Sequence, residues 1–212
     1  MTDYPYATLQ EMNRLAEQGM ALSAYASHTP DRIAVHSHFG QRSFAELNCR
    51  ANQLVRLWRS RGIQAGDSVA LLMGNRPAFI EVYQAALRSG IRLTPINWHL
   101  SGDEVHYIVD NCEAKVFITE DRFLAAGTEV AQRGNLVLNL LVADTDCPAG
   151  FEDYEALLAG QDSGDIASPE IGRYMLYTSG TTGRPKGVWR KTRPAILPNW
   201  QEGAAPMRPV AS

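Results

Sequence analysis

Tyr177-Thr178-Ser179-Gly180-Thr181-Thr182-Gly183-Arg184-Pro185-Lys186-Gly187-Val188 is the stretch on which the reading of this chain turns. Four Ser/Thr hydroxyls, three glycines and one lysine fall within twelve residues. Glycine lets a backbone come close to an anion and turn its N–H groups toward it. Ser and Thr hydroxyls donate hydrogen bonds to phosphate oxygens, and Lys186 adds a compact positive charge on a long stem. Together these groups suit the cradling of a polyphosphate. The order is not that of the common P-loop, G-x-x-x-x-G-K-[ST]. Counted from Gly180, the second glycine would fall at Pro185, and Lys186 is followed by Gly187. Pro185 and Gly187 around the lysine also argue against a helix opening there. A Ser/Gly/Thr-rich surface turn or linker is the alternative. The apolar run Tyr174-Met175-Leu176-Tyr177, which reads as a strand leading into the loop, argues against it.

Upstream of the loop, helical and strand patterns alternate. Leu9 to Ala26 has helical character, stopped at His28-Thr29-Pro30-Asp31. Ile33 to Ser37 and Gln41 to Phe44 predict a short hairpin about Gly40. Ser43 and Glu46 form a capping box, in which each side chain satisfies a backbone N–H left free by the first helical turn. Phe44, Leu47, Ala51, Leu54 and Trp58 then recur at three- and four-residue steps as one core stripe, and Gly62 marks the stop. Val69 to Met73 is a nearly all-apolar strand, as expected where both faces are covered. Asn75 is expected to cap a helix with Pro77 in its first turn, Ile80, Tyr83 and Leu87 inward and Gly90 at its end.

Ile91 to Pro95 follows as a strand. Ser101 with Glu104 gives a second capping box before a helix carrying Val105, Ile108 and Cys112. Lys115 to Thr119 reads as a strand, Phe123 to Arg133 as a helix, Leu136 to Val142 as a strand and Phe151 to Leu158 as a short helix. Gln161 to Pro169 is polar and loop-like, and Gly172 to Tyr177 is the strand that feeds the phosphate loop. Such alternation predicts an α/β fold with a mostly parallel sheet flanked by helices. The sheet is expected to end in an unpaired edge near Tyr174 to Tyr177. After the loop the rhythm stops: Pro194, Pro198, Pro206 and Pro209 fall close together, and 194–212 reads as an irregular or disordered tail.

Length and composition fit one body. A chain of 212 residues folding as one domain buries roughly 70% of its unfolded surface. An apolar fraction of 45% and a charged fraction of 20% are ordinary for a globular chain. The net charge of −3 gives no sign of a nucleic-acid partner. Residues 184–212 nevertheless hold six Lys/Arg against one Glu. A phosphate ligand would favour that local field, and solvated end-of-chain charges account for it equally well. Cys49, Cys112 and Cys147 are far apart and odd in number, which points to free thiols in a reducing, cytoplasmic setting. Met1-Thr2-Asp3-Tyr4-Pro5 has no apolar core of a signal peptide, and no apolar stretch approaches the length of a membrane span. No metal site is expected: His36, His38, His99 and His106 lack acid or cysteine ligands at suitable spacing.

The loop resembles the phosphate-loop signature of the adenylate-forming (AMP-binding) enzymes, which include acyl-CoA synthetases, the adenylation domains of peptide synthetases and luciferases. Ser43-Phe44-Ala45-Glu46-Leu47 with Ala51-Asn52 is similar to that family's first conserved helix. Ala86-Leu87-Arg88-Ser89-Gly90 and Leu93-Thr94-Pro95-Ile96-Asn97 are similar to its next core segment. Leu100, Glu104, Tyr107, Ile108 and Ala114-Lys115-Val116 continue the likeness in the manner of fatty-acyl-CoA synthetases, so it covers roughly 30–188. The resemblance implies residues 1–193 as an incomplete AMP-binding N-terminal domain. It fades beyond Val188, where Thr192 stands at a position often occupied by histidine.

What the resemblance implies is acid activation: a carboxylate attacks the α-phosphate of ATP with Mg²⁺ assisting, and a thiol, usually coenzyme A, displaces AMP. Thr178, Ser179, Gly180, Thr181, Thr182 and Gly183 would wrap the β- and γ-phosphates, with Lys186 neutralising the departing pyrophosphate. The family also implies an adenine-binding aromatic segment, a magnesium-binding glutamate, a ribose-binding aspartate and a mobile domain with a catalytic lysine, all downstream of the loop. None of these motifs occurs here; Gly127-Thr128-Glu129 precedes the loop. The catalytic residues are therefore unassigned. Three readings follow: a truncated fatty acid:CoA ligase needing a complementing chain, a non-catalytic remnant, or part of an amino-acid-adenylating domain. Pro95-Ile96-Asn97-Trp98 leans toward the first.

Overall fold

In the computed structural model, residues 9–144, 146–178 and 185–189 are described. The chain opens with α1 (Leu9–Glu17) and α2 (Ala21–His28). A single helix over Leu9 to Ala26 is thus corrected to two. Gly19 interrupts it at φ +73°, where a Cβ would overlap the carbonyl oxygen of Leu87. Close approach to a neighbouring helix, which local pattern does not show, sets the break.

β1 (Ile33–Ser37) and β2 (Gly40–Ser43) form the expected hairpin, as a separate two-stranded sheet. α3 (Phe44–Ser60) begins at the Ser43–Glu46 capping box, with both reciprocal hydrogen bonds made, and ends before Gly62 at φ +78°. Leu47, Ala51, Leu54 and Trp58 are buried as the stripe requires, while Phe44 stacks on Tyr25 with ring centroids 4.9 Å apart.

β3 (Ser68–Leu72) is buried along its whole length. α4 (Pro77–Arg88) has Arg76 rather than Asn75 at its N-cap, with Pro77 at the first helical position. Its buried face is also not the expected one. Ala78, Val82, Ala85 and Ala86 are buried, whereas Ile80, Tyr83 and Leu87 are partly exposed. Small side chains let α4 lie close against its neighbours, so the bulkiest residues do not mark the core side here.

β4 (Arg92–Pro95), α5 (Gly102–Asn111), β5 (Ala114–Glu120) and α6 (Leu124–Arg133) follow, the last preceded by a short 3-10 turn at Asp121–Phe123. The second capping box, Ser101 with Glu104, is present, and Val105, Ile108 and Cys112 are buried. After β6 (Leu138–Val142), the start of the expected Phe151–Leu158 helix is instead β7 (Glu152–Asp153), with α7 (Tyr154–Ala159) behind it, capped by Asp153. β8 (Arg173–Thr178) and β9 (Lys186–Trp189) close the described chain.

Seven strands form one sheet in the order β7-β6-β5-β3-β4-β8-β9, all neighbours parallel except the antiparallel β8–β9 pair. Period-2 alternation sends Val69 and Leu71 to one face, under α3, α4 and α7, and Ala70 and Leu72 to the other, under α5 and α6. This is the α/β architecture expected, in three layers. The expected open edge at Tyr174 to Tyr177 is corrected: β9 pairs along Met175 to Thr178, so β9 is the outer strand. Residues 194–212, read as a tail, lie outside the described residues.

The polar run at 161–170 is strapped across α3 by side chains that donate to its carbonyls. Asn52 donates to Ser163 O (3.1 Å), Arg56 to Gly164 O (2.6 Å) and Arg59 to Ala167 O (2.7 Å). Beneath the strap, Arg88 is fully buried and donates to Oδ1 of both Asn48 and Asn52, which in turn donate to Asp165 Oδ1.

Candidate functional site: the phosphate hairpin and the carboxyl edge of the sheet

β8 runs parallel to β4 through Arg92–Arg173 and Leu93–Tyr174 and then leaves it. From there it pairs only with β9, in the register Met175–Trp189, Leu176–Val188, Tyr177–Gly187 and Thr178–Lys186. Thr178 and Lys186, both solvent-exposed, therefore stand opposite each other at one end of the β8–β9 pair. This pair lies at the carboxyl end of β8, the end of a parallel sheet where open α/β folds take their ligands. Of the phosphate-loop residues named from sequence, Thr178 and Lys186 are brought together. Ser179, Gly180, Thr181, Thr182 and Gly183 lie outside the described residues.

The hairpin is anchored on both faces. Met175 is buried in the cluster under α5 and α6, and Tyr177 packs against it. The Tyr177 hydroxyl donates to Asn111 Oδ1 at 2.6 Å, and burial raises its pKa. On the opposite face, Tyr174 stacks on Tyr83 with ring centroids 5.8 Å apart and hydroxyls 3.3 Å apart. Burial, with this contact, pushes the Tyr83 phenol up to about 12. Tyr174, Leu176 and Val188 are about half exposed, which leaves an apolar surface beside the hairpin.

A second group at the carboxyl edge escaped the sequence reading. Glu120, at the end of β5, is completely buried. It accepts from Arg76 Nε at 2.6 Å, from Arg122 Nε at 3.0 Å and from the Gly74 N–H at 3.2 Å. Burial opposes the charge on Arg76, but Glu120, Asp121 and Asp144 outweigh it and its pKa is raised. Arg122 lies 4.5 Å over the Phe123 ring and 5.4 Å from the Trp98 ring, which is 45% exposed and stacks on Phe123. Half-exposed Arg122, ion-paired to Glu120 at 2.9 Å, and half-exposed Trp98, flanked by the His99 ring (centroids 3.6 Å apart) and by Phe123, thus lie side by side at this edge. Trp98 follows β4 and Arg122 follows β5, so no local pattern links them.

Among the described residues no group of three or more His, Cys, Asp or Glu gathers as a metal site, and no helix is long and apolar enough to cross a membrane. Cys112 is buried, and burial raises its thiol pKa; Cys49 and Cys147 are half-buried.

Residues 22–201 match the family described as AMP-binding enzyme. The chain belongs to the AMP-binding enzyme family. A 3-oxocholest-4-en-26-oate–CoA ligase of Rhodococcus rhodochrous is 32% identical over 171 residues, covering 76% of this chain and 30% of the ligase. Gramicidin S synthase 2 of Brevibacillus brevis is 28% identical over 197 residues, 92% of this chain and 4% of the synthase. This AMP-binding chain therefore spans less than a third of the CoA ligase it matches. Among solved structures, an anthranilate CoA ligase in complex with anthranoyl-AMP superposes with a TM-score of 0.75 over 82% of this chain and 34% of that one, at 21% identity. A Mycobacterium tuberculosis fatty acyl CoA synthetase gives 0.68 over 84% and 35%, at 24% identity. Both share the fold of this AMP-binding chain.

Proposed function

We propose that the hairpin closed by Thr178 and Lys186 grips the β- and γ-phosphates of ATP in AMP-forming activation of a carboxylic acid, with Ser179, Gly180, Thr181, Thr182 and Gly183 as the other donors. A carboxylate oxygen bonds to the α-phosphorus, and the bond from that phosphorus to the bridging oxygen of the β-phosphate breaks. Pyrophosphate leaves with the electron pair, and Lys186 neutralises its charge. A thiol, that of coenzyme A, then bonds to the acyl carbon, loses its proton to solvent and expels AMP. Mg²⁺ would enter on the ATP phosphates. Such chemistry needs mainly positioning and charge neutralisation.

The observation that carries this reading is the Thr178–Lys186 pairing, which fixes a hydroxyl and an ammonium group across the mouth of the loop at the ligand-binding end of the sheet. The substrate class is a small-molecule carboxylate, a fatty acid by likeness to CoA ligases. An amino acid is the second reading, supported by the match to gramicidin S synthase 2. Residues 1–193 act as one portion of an AMP-binding domain in the cytoplasm. A complementing chain or a second copy covers the apolar surface of Tyr174, Leu176 and Val188.

Calorimetric titration tests the grip. ATP should bind with Kd in the millimolar range, about −4 kcal/mol. Pyrophosphate should compete about as well and adenosine should not. Lys186→Ala should remove most of the binding, since a charge-assisted contact contributes roughly 1.5–3 kcal/mol. Equal pyrophosphate affinity in Lys186→Ala would overturn the assignment.

A further inference from the structure

Tyr177 precedes Thr178 in β8 and stands opposite Gly187, the residue after Lys186, in β9. Beyond the Leu93–Tyr174 pair β8 has left β4, so pairing with β4 no longer sets where this end of the β8–β9 pair stands. Met175 and Tyr177 share one face of their strand. Met175 is buried in a cluster that includes Val105, Ile108 and Val109 of α5, and Tyr177 packs against the same cluster. Such burial is non-directional. It holds the strand pair against α5 without fixing where along the helix the pair rests.

A directional contact supplies that. The Tyr177 hydroxyl donates to Oδ1 of Asn111, the last residue of α5, at 2.6 Å. The same end of the ring lies over Gly187, where a Cβ would stand 3.0 Å from Tyr177 Cζ and 3.1 Å from its hydroxyl oxygen. The phenol is thus wedged between α5 and the β9 backbone. It is one residue from Thr178 along its own strand, and the glycine beneath it is one residue from Lys186.

We propose that Tyr177 is a positioning residue for the phosphate grip: its hydrogen bond to Asn111 fixes the β8–β9 pair along α5, and so sets where the Thr178 hydroxyl and the Lys186 ammonium group stand. That role rests on Thr178 and Lys186 being the phosphate donors. Tyr177 itself touches no phosphate and acts through the backbone of its neighbours. Donors already held in place lose less conformational freedom when an anion binds, so the Tyr177–Asn111 bond contributes to affinity without meeting the ligand.

The test uses the full chain, ¹⁵N-labelled, titrated with pyrophosphate well below its unfolding midpoint, with amide exchange read across β8 and β9. Tyr177→Phe keeps the ring on Gly187 and removes the hydroxyl. It is expected to weaken pyrophosphate roughly two- to tenfold, the span of one net hydrogen bond, and to speed exchange of the β8–β9 amides. Asn111→Ala should do the same, and the double variant should lose no more than either alone. Asn111→Asp keeps an acceptor, so its affinity should match that of the unaltered chain, although an acid at the C-terminus of α5 lowers the unfolding midpoint. A bond that merely stabilised the fold would make affinity follow the midpoint. Unchanged affinity in Tyr177→Phe, additive losses in the double variant, or weak binding by Asn111→Asp would each overturn the proposal. If the unaltered chain takes no pyrophosphate, the phosphate reading fails and exchange decides the positioning. Faster exchange in both Tyr177→Phe and Asn111→Ala would then support it, and exchange as slow as in the unaltered chain would overturn it.

Discussion

Gly187 lies directly across from Tyr177 in the β8–β9 pair, and a Cβ on it would meet the Tyr177 ring at 3.0 Å and overlap the Met175 methyl group. The glycine that follows the phosphate-loop lysine is thus a packing requirement: the Met175 and Tyr177 side chains occupy the space a side chain there would need. Gly187→Val should destabilise the hairpin by about 1–3 kcal/mol, the usual cost of overpacking. Denaturant unfolding and pyrophosphate titration should both register the loss. An unchanged unfolding midpoint would show that Met175 and Tyr177 give way freely.

We expect the 212-residue chain by itself, whose match covers 30% of the CoA ligase it resembles, not to form acyl-CoA from ATP, coenzyme A and fatty acid. A coupled assay for AMP release reads this directly. Product above the level of a Lys186→Ala control would sink the expectation.

Tyr174, Leu176 and Val188 form an apolar surface on the last two strands of the sheet, and β9 is its edge. Exposed edges and apolar surfaces favour association. The chain should run as oligomers in light-scattering chromatography, and Leu176→Lys with Val188→Lys should shift it toward monomer. A sharp monomer peak from the unaltered chain would refute this.

Arg88 is buried with its Nε and Nη2 lacking partners among the described residues, and burial, partly opposed by Asp165, brings its pKa down to about 10. The folded pKa lies below the unfolded value. From about pH 10 upward the unfolded chain therefore binds more protons, and this group's contribution to stability rises with pH until the unfolded guanidinium titrates as well. Removing an acceptor should cost more than removing the charge. Asn52→Leu should lose roughly 2–3 kcal/mol, and Arg88→Met should lose less. Thermal unfolding of the two variants decides it, and the reverse order would be evidence against a strained buried cation.

Arg61 donates to both carboxylate oxygens of Glu152, at 2.7 and 2.6 Å, and this holds the Glu152 carboxyl below its ordinary value of 4.5. A depressed acid contributes stability that is present above its unfolded pKa and lost as pH falls through the folded one. Arg61→Met should lose a small contribution at pH 7, small because solvent screens this exposed pair, and should leave the acid limb shallower, so that the two profiles converge as pH falls below about 4.5. Profiles superimposable all the way from pH 7 to below pH 4.5 would show that the pair contributes nothing.

Much of this architecture was legible from local pattern. Both capping boxes, the fully buried β3 and the glycine stops at Gly62 and Gly90 rest on interactions within a few residues, and each appears as read. The misreadings share a cause in distant partners. Gly19 breaks the first helix because Leu87 stands against it, and α4 turns small residues inward to lie close to its neighbours.

By itself, the sequence determined that a parallel α/β sheet would feed a hydroxyl- and glycine-rich loop with a lysine at its far side, because strand, cap and turn chemistry is written in adjacent residues. Only the tertiary structure decided that β9 folds back on β8 to set Lys186 opposite Thr178, and that Arg122 and Trp98 meet at the carboxyl edge. Each depends on side chains that meet across different elements of the fold. Such meetings arise from packing and long-range pairing, which spacing along the chain does not encode.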